Sequence, residues 1–191
     1  MTSIKAMTRA EKARQTRQQL LAVAIRLFAE RGFDGTSLQM IADEMGMTKA
    51  AVYYHFRAKT DILRALAELM IEQVTGLLDV VATKRSRRDR IETFATGYVD
   101  DILIGQRTIV AVVSDDPALH VRMAVEQDQF TDLRQQLVHA LYGEAPTDDE
   151  RTAVYAVEGL AKAVPYLKDL DDDALRSTLW RTCVRILTVR S

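Results

Sequence analysis

The stretch Thr36–Phe56, TSLQMIADEMGMTKAAVYYHF, constrains the fold more than any other part of the chain, because two short helical patterns meet there at one glycine. Ser37 can cap a first helix whose apolar residues Leu38, Ile41, Ala42 and Met45 follow helical spacing. Gly46 supplies the turn, and Thr48 can cap a second helix. In that second helix Val52 and Phe56 share one face, while Lys49, Ala50, Tyr53 and Tyr54 spread around the remainder. This is the pattern of a helix-turn-helix, with small and hydrogen-bonding side chains left for a nucleic-acid groove. An ordinary helical hairpin whose tyrosines only pack has the same spacing, so the motif alone leaves both readings open.

The flanking residues narrow the choice. Upstream, RQQLLAVAIRLFAERGFDGTS reads as an amphipathic helix in which Leu20, Leu21, Ala24, Leu27 and Phe28 form one stripe and Gly32-Phe33 ends it. Downstream come Phe56, Lys59 and Ile62-Leu63 at the head of a long helical pattern. Over Arg17–Leu66 these features together resemble the TetR family of bacterial transcriptional repressors. Met47 and Ala50 stand where many members have Val and Gly, which bears on base preference and not on fold. The resemblance implies that Thr48, Tyr54, His55 and Lys59 hold phosphates, that Lys49, Ala50 and Tyr53 lie nearest base edges, and that Ser37 also touches the backbone.

At 191 residues, 48% of them hydrophobic, the chain can bury a sizeable core in one or two units. With 3 Pro and 8 Gly, long helices are permitted and an all-α fold is expected. The lone Cys183 excludes an intrachain disulfide and reads as a small apolar residue of the last helix. The N-terminal residues are too polar for a signal peptide, and no apolar run approaches the ~20 residues of a membrane span, so a cytoplasmic protein with no membrane partner is expected. His55, His120 and His139 lack ligand spacing, and neither metal nor cofactor is expected. Asp100-Asp101 are sequence neighbours, which on a helix point in different directions and make no acid/base dyad. With no phosphate-cradling glycine loop and no nucleophile elbow, the chain does not read as an enzyme.

The net charge of −1 conceals an asymmetry. Met1–Thr60 holds ten Lys and Arg against five Asp and Glu, while the remainder holds sixteen against twenty-two. Positive charge is thus concentrated around the helix-turn-helix, where phosphates would be met. Lys5, Arg9, Lys12 and Arg14 are expected to extend it as a frayed N-terminal arm. A second basic run, Lys84–Arg90, is read as a solvated loop, because Thr60–Val81 as a helix of about 35 Å would carry it far from any groove. Ser86 and Asp89 can begin the next helix there.

Two domains are therefore expected: residues 1–60, the helix-turn-helix with its arm, and residues 61–191, a helical domain. In the latter, Phe94, Tyr98 and Ile102 share a face, Met123, Gln127 and Phe130 another, and Met70, Val74 and Leu78 line the long helix. The resemblance makes Met70, Val74, Phe94, Tyr98, Ile102, Met123, Gln127 and Phe130 candidate walls of a pocket for a small apolar or amphipathic effector, although such stripes are more often plain core. Thr147 and Glu150 form a capping-box pattern opening a helix striped by Val154, Val157, Leu160, Ala161 and Val164. Leu175, Leu179, Cys183 and Ile186 stripe the last helix beside Trp180. By the same resemblance, Val157, Leu160, Val164, Leu175, Leu179, Trp180, Cys183 and Ile186 are expected at a two-fold helical-bundle interface. The expectation is a homodimeric repressor on palindromic double-stranded operator DNA, released by effector. Its rivals are a regulator without a small-molecule effector and a helical carrier or enzyme.

Overall fold

The computed structural model describes residues 8–115 and 127–188, the side chains of 113–115 and 127–128 excepted. Among the described residues every regular element is helical, and the fold is all-α. No described helix is long and apolar enough to cross a membrane. Two units can be distinguished, Met1–Leu66 and Ala67–Ser191, so the division falls at Leu66–Ala67 and not at Thr60. The reason lies in Ile62, Leu63, Ala65 and Leu66, which are buried early in the long helix.

The first unit contains α1 (Arg9–Arg31), α2 (Leu38–Glu44), α3 (Lys49–His55) and the beginning of α4 (Lys59–Ala82). Thr8 caps α1 with its hydroxyl accepting from the Glu11 N–H, and the Glu11 carboxylate accepts from the Thr8 N–H in return. This box corrects the expected arm: Arg9, Lys12 and Arg14 lie on a helix, and only Lys5 falls outside the described residues. Leu20, Leu21, Ala24, Leu27 and Phe28 are buried as one stripe. The helix stops where Gly32 takes φ 73°, a left-handed value that glycine tolerates, and its N–H reaches Phe28 O at 2.9 Å. Thr36 is buried, and its hydroxyl serves the carbonyls of Leu27 and Gly32.

In the second unit α5 (Arg87–Gly97) begins on the cap of Ser86, whose hydroxyl accepts from the Asp89 N–H. The basic run is thus divided between loop and helix. A π-helical segment, Tyr98–Ile104, continues α5. After it come α6 (Arg107–Asp115), α7 (Gln127–Tyr142), α8 (Asp148–Glu158), the short α9 (Leu160–Ala163) and a 3-10 turn at Val164–Tyr166. The last helix is α10 (Asp172–Leu187), capped by Asp171. Thr147 and Glu150 form the expected capping box. Glu150 is also buried against Arg87 at 2.6 Å, and Arg87 lies over the Tyr142 ring. The Thr147 N–H and the neighbouring Arg87 hold the Glu150 carboxyl below its ordinary pKa.

The core of this unit takes up most of the residues expected at the dimer interface. Val157, Leu160, Val164, Leu175, Leu179 and Cys183 are buried within one protomer, together with Phe94, Val99, Leu103 and Leu141. Trp180 and Ile186 pack half-buried on the same cluster. A helical stripe needs an apolar partner, and here the partner is α5, the π-helical segment and α8 of the same chain. Leu179→Ala should therefore lower the protomer's own unfolding free energy by about 2 to 5 kcal/mol. Urea unfolding measures it, and a loss under ~1 kcal/mol would remove Leu179 from the core.

Candidate nucleic-acid interface

The second helix of the motif, α3, has only seven residues and is fixed from both ends. At its start the Thr48 hydroxyl accepts from the Ala51 N–H at 3.2 Å. Its inner face is Val52, fully buried, followed by the buried Phe56. At its end Arg17, on α1, donates to the His55 carbonyl at 3.0 Å and lays its guanidinium 4.3 Å from the Phe56 ring centroid. The outer face is then free: Lys49 and Ala50 are exposed, Tyr53 is 42% exposed and Tyr54 77%. Lys49 lies over the Tyr53 ring at 5.6 Å, and Tyr54 meets His55 edge-on.

The expected contact residues divide into two groups. Ser37, Thr48, Lys49, Ala50, Tyr53 and Tyr54 are exposed on α2 and α3 or on their caps. Ser37 is already an acceptor for the Met40 N–H, which leaves its hydroxyl proton for an outside acceptor. His55 and Lys59 are half-buried. Lys59 donates to the Phe33 carbonyl at 2.6 Å and sits 4.5 Å from the Phe33 ring centroid, so one of its donors is committed inside the unit. Arg26 is likewise engaged, with Glu30 and Glu44. Sequence reading missed the clamp made by Arg17, since the contact joins residues 38 positions apart.

The expected pocket residues are dispersed. Phe94, Tyr98 and Ile102 are core, with the Phe94 and Tyr98 rings stacked at 5.3 Å, and burial pushes the Tyr98 hydroxyl pKa up. Met70, Val74 and Phe130 are half-buried, while Met123 and the Gln127 side chain lie outside the described residues. None of these lines the open groove of about 950 Å³ on the second unit, which runs between α4, α5 with its π-helical continuation, and α10. Apolar four-residue spacing identifies a buried face, and an open groove has no such period. Asp100 and Asp101, on the π-helical segment, both line the groove, Asp100 paired with Arg176 and Asp101 exposed.

A family model described as bacterial regulatory proteins, tetR family, matches residues 20–66, the segment that contains the capped hairpin and its supports. That segment is a DNA-binding domain of the TetR family of transcriptional regulators. It is 28% identical over 188 residues to the HTH-type transcriptional regulator SrpR of Pseudomonas putida, covering 86% of this chain and 81% of that protein. It is 26% identical over 169 residues to the HTH-type transcriptional repressor KstR2 of Rhodococcus jostii (strain RHA1), covering 86% and 76%. Its fold matches the ketosteroid transcriptional regulator KstR2 of Mycobacterium tuberculosis with a TM-score of 0.70 at 19% identity, over 90% of this chain and 93% of that one. The helical architecture of both units is shared with that fold.

Two outcomes follow from the geometry of α3. Tyr53→Ala and Lys49→Ala should each weaken binding to the cognate DNA, by about 1 to 3 kcal/mol for a base contact. If Lys49 meets phosphate instead, Lys49→Ala should reduce the salt slope by about one. Unchanged affinity in both variants, with helicity intact by circular dichroism, would remove α3 from the groove.

The second outcome concerns His55, whose pKa is held below its ordinary value first by burial and then by the charge of Arg17. The unfolded chain is then the better proton acceptor, so the stability this residue supplies is complete above the unfolded pKa of about 6.5 and is lost as pH falls below it. The unfolding midpoint should fall less between about pH 7 and 5.5 in His55→Gln than in the wild type; identical slopes would count against the burial of that ring.

Proposed function

We propose that the chain is a repressor that binds a two-fold-symmetric DNA operator as a homodimer and releases it when a small molecule binds the second unit. The observation that carries this reading is the outer face of α3, where Lys49, Ala50, Tyr53 and Tyr54 project while Val52, Phe56 and Arg17 anchor the helix from behind. A rigid support with an exposed polar and aromatic face is what base readout in a major groove needs. The repressor named among the relatives supports the direction of regulation.

For the dimer contact we put forward the outward face of α8 and the turn that follows α9. Tyr155 is 58% exposed and Tyr166 80%, and Ala156 and Gly159 lie exposed between them. Large aromatics beside small residues suit a helix packing on its own symmetry mate. Two-fold symmetry then calls for an inverted repeat whose half-sites lie about 34 Å apart, or a multiple of that helical turn. Helix α4 is common to both units, so a ligand that favours one arrangement of its C-terminal half can bias DNA binding. Release requires tighter ligand binding to the DNA-incompetent state.

The test begins with DNA selected from random duplexes by the purified protein. An inverted repeat bound with a steep salt dependence is expected, and a sequence without two-fold symmetry would overturn the homodimer. Tyr155→Asp combined with Tyr166→Asp should cost about 2 kcal/mol or more in self-association, read by sedimentation equilibrium. Operator affinity should fall in parallel. A double variant that associates as well as the wild type would place the interface elsewhere.

A further inference from the structure

The groove between α4, α5 and α10 has three features that its role as a surface of the core does not explain. The first is its three glycines, of which Gly105 has a backbone reason, since a Cβ there would meet the Asp101 carbonyl at 2.8 Å. Gly97 has a packing reason, because a Cβ there would run into the Leu77 side chain where α5 crosses α4. Gly76 has none: a Cβ would meet nothing within 4 Å, and glycine in the interior of a helix is destabilising relative to alanine. Its missing side chain leaves open the space that the groove occupies.

The second feature is charge. Glu92, Asp100 and Asp101 line the groove, and no Lys, Arg or His does. Arg88 engages Glu92 at 2.8 Å and Arg176 engages Asp100 at 2.7 Å. Asp101 is exposed and has no cationic partner among the described residues. The third feature is Trp180. Its indole N–H is taken up by the Thr96 hydroxyl at 3.1 Å, so what the ring has left to offer the groove is its π surface and apolar edge. An uncompensated carboxylate and an anchored indole lining one groove attract a cation that carries an apolar body, through charge and cation–π attraction together. A volume of about 950 Å³ is within the range of small-molecule sites.

We infer that this groove is a binding site for an organic cation, an ammonium or amidinium on an apolar or aromatic body, with Asp101 as its counter-ion and Trp180 as its wall. The inference rests on the reading that this regulator answers a small molecule, and it names the class of that molecule and its seat. Trp180 is the chain's one tryptophan, so its fluorescence reports on the groove directly.

The probes are 4-phenylbutylammonium, 4-phenylbutanol and 4-phenylbutanoate, which share one apolar body and differ in the charge of the head group. Titrated into the full-length protein, the ammonium should saturate the change in Trp180 emission at least tenfold more tightly than the alcohol, with the carboxylate weakest. Asp101→Asn, an isosteric change at an exposed position, should weaken the ammonium about tenfold and leave the alcohol unchanged. Gly76→Phe should abolish binding by filling the groove, with the helix content retained. Equal affinity for ammonium and alcohol, or ammonium binding indifferent to both substitutions, overturns the inference. Operator DNA added to the same titration separates this inference from the functional reading beneath it. Ammonium binding that Gly76→Phe abolishes, without any change in operator affinity, supports the cation site and counts against release by effector. Release by a compound whose midpoint is the same in Gly76→Phe overturns the cation site and leaves release by effector standing.

Discussion

A helix of seven residues cannot hold its shape by its own hydrogen bonds, because nucleation fixes several residues before propagation repays the loss. Everything that α3 offers to DNA depends on how the rest of the first unit holds it. The Thr48 cap satisfies a donor at its start, Val52 and Phe56 bury its inner side, and Arg17 meets the carbonyl at its end. A cation at the C-terminus of a helix also opposes its dipole. Lys59 acts in the same manner on the loop after α1, through the Phe33 carbonyl and ring. Basic residues near the motif therefore do two jobs. Arg17, Arg26 and Lys59 are engaged inside the unit, so a count of cations overstates the number of phosphates this domain can neutralise.

The helix-turn-helix was legible in the sequence because its determinants are local. Ser37, Gly46 and Thr48 mark ends and a turn within a few residues of the backbone groups they serve, and Gly46 does take a left-handed φ of 60°. The same logic was available at Thr8 and Glu11, where a capping box fixes the start of α1; reading only the charges of Arg9, Lys12 and Arg14 made that segment an arm. Charge reports where solvent is, and a cap reports where a helix begins.

Periodicity was less informative about what an apolar face meets. Leu175, Leu179 and Cys183 repeat as an interface would, and so do Phe94, Tyr98 and Ile102 as a pocket would, yet both sets close on one another inside the protomer. A hydrophobic stripe specifies that water is excluded and is silent on whether the same chain, a second chain or a ligand excludes it. The π-helical segment adds a further limit. Nothing in YVDDILI departs from an α-helical pattern, but the change of pitch alters the register of side chains along the segment.

The remaining surface of α8 follows from the same argument taken in reverse. Once Ala153, Val154 and Val157 are assigned to the core, the opposite side of the helix holds Thr152, Tyr155, Ala156 and Gly159. Asp148 and Arg151 are exposed at the start of that side and pair with each other, and Arg134, paired with Glu158, lies 5.5 Å from the Tyr155 ring centroid. Tyrosine is suited to such a place, since its ring is buried favourably against a partner while its hydroxyl remains content in water before the partner arrives. In the proposed dimer, the protomer folds around its own core and association uses a surface that folding did not need. The strongest apolar stripes are consumed by the fold itself, so the face proposed for the dimer lies outside them.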